Sequence, residues 1–329
     1  MTIDLTGDMD GLDLMIIKEL EVDGRQSISA IAKNLGKNRV YISRRLKKLL
    51  DKKIIEISSF THPFVLGYYT FAFIGIKALP NRIRAVAEQL KELEAIHDLV
   101  IITGGYDLLA YSLFKNPLDV SVFIRRELDN IPGITATETM MIHEVRKETF
   151  AYATGAENTD ARENSPAWEE APSPDLKIDR VDLAILRELE IDGRQSVSDL
   201  AKKLDISRIN ASNRLQRLRD NKATKIVAVT NPFILGYHII AMVGIKTETR
   251  QINALSDMLS SFKNIYTVVI TSGRYDILVL TMAKGPMGLS HFLTEQLAQL
   301  PGISSTESMI TLEWIKKSSM DLASSHSFL

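Results

Sequence analysis

The stretch DLMIIKELEVDGRQSISAIAKNLGKNRVYISRRLKKLL, Asp13 to Leu50, decides the fold of this chain. Leu14, Ile17 and Leu20 fall on one face at helical spacing, with Ile16 beside them, and predict a helix over 13–21. Asp23-Gly24-Arg25-Gln26 is turn chemistry that stops it. Ser27 can cap a second helix, whose apolar residues are Ile28, Ile31, Ala32 and Leu35. Gly36-Lys37 turns the chain again, and Asn38 caps a third helix that buries Ile42, Leu46 and Leu49. Ile54, Ile55 and Ile57 then read as a short strand pair, a wing. Three short helices, a tight turn between the second and third, and a wing predict a winged helix-turn-helix head.

The same stretch returns as Asp182 to Arg219, DLAILRELEIDGRQSVSDLAKKLDISRINASNRLQRLR, at an offset of 169 residues. The offset holds to the end of the repeat. His62-Pro63-Phe64 returns as Asn231-Pro232-Phe233, Gly104-Gly105-Tyr106-Asp107 as Gly273-Arg274-Tyr275-Asp276, and Ile131-Pro132-Gly133-Ile134 as Leu300-Pro301-Gly302-Ile303. One two-part unit is therefore written twice, and each signal can be tested against its duplicate.

The second part of the unit reads differently. Tyr69 to Lys77 is a strand by its β-branched, aromatic and small residues, and Arg82 to Leu93 is a helix. Leu99 to Thr103 and Leu108 to Phe114 are strands hinged at Gly104-Gly105-Tyr106-Asp107. Leu118 to Leu128 is a helix, and Thr135 to Glu148 a last strand. The order βαββαβ predicts a ferredoxin-like sandwich, so the fold class is α+β. Its open sheet face, with Phe71, Phe73, Ile101, Leu109 and Tyr111, is too apolar to stay wet and calls for a second such sheet. The resulting organisation is a winged helix-turn-helix head at 9–60, an effector module at 61–152, a flexible acidic linker at 153–177, a second head at 178–229 and a second module at 230–318. The linker, with its lone Trp168, reaches on the order of 25 Å as a coil. The tail from 318 reads as frayed.

The 329 residues are enough for several cores. With no cysteine in the sequence, disulfides and thiolate metal sites are excluded. The acidic N-terminus is not a signal peptide, and no apolar run approaches the roughly 20 residues of a membrane helix, so a cytoplasmic place is expected. Net charge is −1, but it is unevenly spread. Residues 12–58 carry eleven Lys/Arg against six Asp/Glu, and 181–227 carry ten against seven. Residues 153–176 carry one against six. Positive charge is confined to the two heads, where local field steers a polyanion.

The two third helices differ in an informative way. With Ile42 at the centre of the buried face, Val40, Arg44 and Lys47 point outward, flanked by Tyr41, Ser43 and Lys48. Their duplicates are Ile209, Asn213, Gln216, Asn210, Ser212 and Arg217. Arg39/Arg208, Arg45/Arg214 and Lys48/Arg217 keep their charge and read as phosphate contacts. Tyr41/Asn210, Arg44/Asn213 and Lys47/Gln216 change chemistry; arginine suits guanine, and asparagine or glutamine suits adenine. The two heads are therefore expected to prefer different half-sites of double-stranded DNA. A merely solvated helix face is the bland alternative, and the recurrence of cap, core and basic triple argues against it. At the turn, Gly104 and Gly105 expose backbone amides and Asp107 offers an acid, as do Gly273 and Asp276. That chemistry suits a small zwitterion, with Tyr106 and Tyr275 as wall or donor; a plain hairpin turn capped by aspartate is the other reading. The six histidines show no duplicated position and read as structural, and no P-loop, GxSxG or HExxH is present.

The run DxxIIxxLExDGRxSxxxIAxxLG, the basic third helix, PFxLGY, and GxYD followed by PGI resemble the Lrp/AsnC (leucine-responsive, feast/famine) transcriptional regulators over nearly all of both copies. The resemblance implies a sequence-specific DNA-binding regulator with RAM-type effector modules, no cofactor and no catalysis. It implies module pairing through the sheets, homo-oligomers of such pairs, and an amino acid or related metabolite bound near the turn between pairs. By resemblance, Thr137 and Thr306 add hydroxyl contacts there. The tandem fusion departs from the family's usual single copy, and Gly105 against Arg274 makes the two turns unlike. Two other classes stay open: an enzyme similar to haem-pathway decarboxylases on related folds, and an architectural protein that wraps DNA.

Overall fold

The computed structural model describes residues 9–149, 151–153, 172–173 and 175–317. The acidic linker falls largely outside the described residues, as do Trp168, His326 and the tail from 318. The chain divides into two units, each holding parts of both copies. One lies within Met1–Val65 and Thr149–Gly236 and holds the heads; the other, Leu66–Glu148 with Tyr237–Ser319, holds the modules.

Each head is built from three helices: α1 (Gly11–Val22), α2 (Ile28–Asn34) and α3 (Arg39–Asp51) in the first, α6 (Arg180–Ile191), α7 (Val197–Lys203) and α8 (Arg208–Asp220) in the second. Ser27 and Asn38 cap α2 and α3 as expected, and their duplicates Ser196 and Ser207 cap α7 and α8. Ile16, Ile17, Leu20, Ile42 and Leu49 are fully buried, as are Ile185, Leu189 and Leu218.

The wing departs from expectation. Neither head closes a strand hairpin of its own. Instead β1 (Ile55–Thr61) pairs antiparallel with β6 (Thr224–Thr230), from Ile55↔Thr230 to Thr61↔Thr224, so each copy supplies one strand of a shared ladder. The apolar run at Ile54, Ile55 and Ile57 is too short for a hairpin, and its duplicate is the partner that satisfies its backbone. One hydrophobic core then runs through both heads, joining Ile16, Ile31 and Leu46 to Leu186, Leu200 and Leu215.

The turn Asp23-Gly24-Arg25 also does more than stop a helix. The Gly24 amide donates to the Ile226 carbonyl at 2.8 Å, and the Gly193 amide to the Ile57 carbonyl at 2.9 Å. Arg25 donates to the carbonyls of Gly193 (2.8 Å) and Gln195 (3.0 Å), and Arg194 to that of Gln26 (2.9 Å). A Cβ on Gly24 would stand 2.9 Å from the Val227 backbone, and one on Gly193 2.9 Å from the Ile57 carbonyl oxygen. Each turn is therefore clasped onto the other copy's strand. Gly24→Ala with Gly193→Ala is expected to cost about 2 kcal/mol or more through overpacking. A melting temperature of the full chain equal to wild type would refute the clasp.

In the module unit, β2 (Thr70–Ala78), α4 (Ile83–Lys91), β3 (Ile96–Ile102), β4 (Leu108–Phe114), α5 (Pro117–Arg126) and β5 (Ile134–Glu148) follow the predicted order. The duplicate gives β7 (Ile239–Thr247), α9 (Ile252–Ser260), β8 (Ile265–Ser272), β9 (Ile277–Ala283), α10 (Pro286–His291) and β10 (Ile303–Lys317). The eight strands close into one ring, β10-β3-β4-β2-β5-β8-β9-β7, joined across copies at β5–β8 and β10–β3. The second sheet that the apolar face requires thus comes from the same chain. Phe73, Leu109, Met140, Met242, Leu278 and Met309 form the core inside the ring. Ile101 was expected on that face, but Val100 and Ile102 occupy it; Ile101 packs with the α4 and α5 side. Helices cover the outside through separate cores on each module. No helix among the described residues is long and apolar enough to cross a membrane.

Candidate nucleic-acid interface and effector turns

Helices α3 and α8 present the predicted outer faces. Val40 and Ile209 are 76% and 74% exposed, two positions before the buried Ile42 and Ala211. An apolar side chain left that open contributes nothing to the core. Arg39, Arg44 and Lys47, and likewise Arg208, Asn213 and Gln216, are exposed and form no ion pair among the described residues. Ser212 is exposed, and Ser43 and Lys48 are half-buried at the flank.

The structure gives Arg45 and Arg214 a different role from the expected phosphate contacts. Arg45 reaches back to helix α1, 2.6 Å from Asp10 and 3.0 Å from Asp13. Its second Nη donates to the Tyr41 hydroxyl at 2.6 Å, and its guanidinium lies 5.1 Å from that ring's centroid. Arg214 repeats this with Asp179 (2.7 Å) and Asp182 (2.9 Å), while its Nε donates to Asn210 at 2.8 Å. Arg217 joins it on Asp182. Asp10 and Asp179 are N-caps whose capping boxes are completed by Asp13 and Asp182. The side chains of Asp13 and Asp182 are almost fully buried, so an arginine facing each is a structural need. The Asp182 amide and then Arg214 hold the Asp179 carboxyl down at about 2. The Asp13 amide and Arg45 likewise lower Asp10. Tyr41 and Asn210 are correspondingly engaged with these arginines, whereas positions 44 and 47 and their duplicates stay exposed. Asp10, Asp13 and Arg25 recur at the same 169-residue offset, the signal by which they could have been found.

The two GxYD turns come together inside the module unit. Gly104 and Gly273 adopt φ of +99° and +114°, a region that favours glycine. A Cβ on Gly104 would meet the Ser308 carbonyl at 3.0 Å, and one on Gly273 the Thr139 carbonyl at 2.9 Å, so each turn lies on the other copy's last strand. Tyr106 and Tyr275 are buried and donate to Glu138 (2.7 Å) and Glu307 (2.6 Å). Burial, then the carboxylate, pushes each phenol well up. Arg274 donates to Glu307 at 2.9 Å, stands 3.7 Å from Glu138, and lies over both tyrosine rings at 5.6 and 5.7 Å. Burial pulls Glu307 up, but the Tyr275 hydroxyl and Arg274 outweigh it and hold it below its usual value. The sequence reading missed Glu138 and Glu307, although they too recur at the repeat offset.

The aspartates of the turns are partly occupied. Asp107 Oδ2 accepts from the Ala78 amide at 2.9 Å, and Asp276 Oδ2 from the Thr247 amide at 3.0 Å. The Asp276 Oδ1 also meets Lys246 at 3.0 Å, whereas the duplicate Lys77 makes no such pair. Thr137 and Thr306 alternate with Glu138 and Glu307 along β5 and β10, so they stand on the opposite sheet face. Among the described residues no group of His, Asp and Glu is arranged to hold a metal.

Known proteins resemble the chain copy by copy. A family model for the AsnC-type helix-turn-helix domain matches residues 9–50 and 178–219. A model for the Lrp/AsnC ligand binding domain matches 71–152 and 240–321. An uncharacterized HTH-type transcriptional regulator of Pyrococcus furiosus is 36% identical over 144 residues, 44% of this chain and 97% of the relative. The HTH-type transcriptional regulator FL11 of Pyrococcus abyssi is 33% identical over 142 residues, 43% and 93% of the two chains. The crystal structure of the siroheme decarboxylase NirDL has a TM-score of 0.66 over 94% of this chain and 93% of its own, at 15% identity. That likeness is one of fold.

Proposed function

This chain belongs to the Lrp/AsnC family of HTH-type transcriptional regulators, and from that premise we propose that it is a cytoplasmic, sequence-specific regulator whose two heads read unlike half-sites. The observation that carries this reading is the pair of solvent-facing helices, α3 and α8, with Arg39, Arg44 and Lys47 set against Arg208, Asn213 and Gln216. Arg39 and Arg208 neutralise phosphates; Arg44 and Lys47 favour guanine, and Asn213 and Gln216 favour adenine. The clasped ladder between the heads supports their acting as one reader.

The effector is an amino acid or related small metabolite. The turn of the first copy suits it better, because Asp107 keeps one carboxylate oxygen open where Asp276 is paired with Lys246. Binding shifts how chains associate and so how heads are presented along DNA. The sheet faces are used up within the chain, so association of chains uses the outer helical faces, where Leu118 and Met287 are 76% and 83% exposed.

Fluorescence anisotropy of the purified chain against its own upstream region tests the reading. Even with the two phosphate contacts of Arg39 and Arg208 alone, affinity falls on the order of 10-fold between 50 and 200 mM salt. Adding single amino acids shifts the binding curve for at least one of them. A salt-insensitive curve, or equal affinity for unrelated DNA, would remove the proposal.

A further inference from the structure

We infer that the pairing of effector modules in this chain is selective: the first module accepts only a second-type module as its partner, and Arg274 is the residue that enforces the choice. The heads cannot do so, because their clasp uses an arginine on both sides, Arg25 and Arg194, and would serve like pairs equally well.

Where the two GxYD turns meet, the copies are unequal. Gly105 leaves room for Glu307, whose Oε1 would stand 2.4 Å from a Cβ added there. Arg274, at the duplicate position, bridges Glu307 and Glu138. Two first-type modules facing one another would bring two Glu138 carboxylates together with no cation between them. Two second-type modules would set an arginine against each Glu307, as Arg274 already stands against Glu138. Of the two partners open to the first module, only the second type brings a cation to Glu138.

The two seams bias against pairs of second-type modules only, since the first module carries Glu144 and Glu88 where the second carries Glu313 and Asp257. At β3–β10, Arg84 on α4 makes a two-pronged pair with Glu313, at 3.1 and 2.7 Å. At β5–β8 the polarity is reversed: Arg146 on the strand meets Asn253 (2.7 Å) and Asp257 (3.3 Å) on α9. The duplicate of Arg146 is Ile315, and that of Arg84 is Asn253. A pair of second-type modules therefore loses both sets of contacts. The partner that fits the first module is a βαββαβ sheet with arginine at the hairpin turn and glutamate in the last strand. A symmetric homodimer of the first type is disfavoured.

The cysteine-free sequence makes the test direct. Met141 faces Ser272 across β5–β8, and the duplicate of Ser272 is Thr103. In the full chain, Met141→Cys with Ser272→Cys is expected to close within one chain on oxidation. Met141→Cys with Thr103→Cys can close only between two first-type modules of different chains, and is expected to stay unlinked. Adding Arg274→Gly to that second variant is expected to raise the interchain product roughly tenfold, the size of a like-charge bias of this kind. Intrachain closure of Met141→Cys with Ser272→Cys in the same background certifies folding, and Arg274→Gln replaces the glycine variant if it does not accumulate. Interchain product that forms as readily with Arg274 present as without it overturns the inference.

Discussion

Replacing Arg45 and Arg214 together by alanine is expected to destabilise the heads before it touches DNA affinity. Asp13 and Asp182 are buried carboxylates, and each arginine stands within hydrogen-bonding distance of one. Removing Arg45 leaves the Asp13 carboxylate out of water without its cation, which costs about 3 kcal/mol; at the second site Arg217 still meets Asp182, so the loss there is smaller. Both sites face one continuous core, so the losses appear in one transition. Equilibrium urea unfolding of the full chain should move to lower midpoint by on the order of 1 M or more. Arg39→Ala with Arg208→Ala, on exposed residues of the same helices, should stay within about 0.5 kcal/mol of wild type while weakening DNA binding. Asp13→Asn with Arg45→Ala should recover part of the loss, because the orphaned charge is gone. An unchanged midpoint for the double arginine variant would show that the buried carboxylates need no partner.

The second large effect is on specificity. Arg44→Asn with Lys47→Gln gives the first head the reading residues of the second and leaves the Tyr41–Arg45 contact intact. Selection from random DNA is expected to return a two-fold symmetric site for this variant and an asymmetric one for wild type. Two altered base contacts, at about 1–3 kcal/mol each, lower affinity for the wild-type site on the order of 100-fold. A strict palindrome selected by the wild-type chain would end the claim of unlike half-sites.

Local structure was legible in the sequence wherever local chemistry settles it. Ser27 and Asn38 cap the helices they were expected to cap, and Ile42, Leu46 and Leu49 are the buried face. The fold class and the order βαββαβ followed from helical periodicity, strand composition and turn residues. What escaped was everything that depends on the other copy. The strand at Ile55–Thr61 finds its partner 169 residues away, so no hairpin signal existed to read. Arg25 looked like a turn residue because its acceptors lie on the duplicate turn. Arg45 looked like a surface cation because helical phase cannot show that Asp13, on another helix, is buried beneath it. Ile101 was put on the wrong face because a strand of continuous apolar residues carries no alternation. At the GxYD turns the sequence showed glycine and aspartate, but not that Glu138 and Glu307 of the last strands accept from the turn tyrosines.

A ring of eight strands has no first or last member, hence no bare row of amides and carbonyls on which another molecule could template. A polypeptide ending after β5 would be a four-stranded sheet with β3 and β5 exposed along its borders, and would depend on meeting a second copy in solution. Joining the halves by one backbone replaces that encounter with a tethered closure governed by effective concentration. The shape of this protein is thereby freed from how much of it a cell makes.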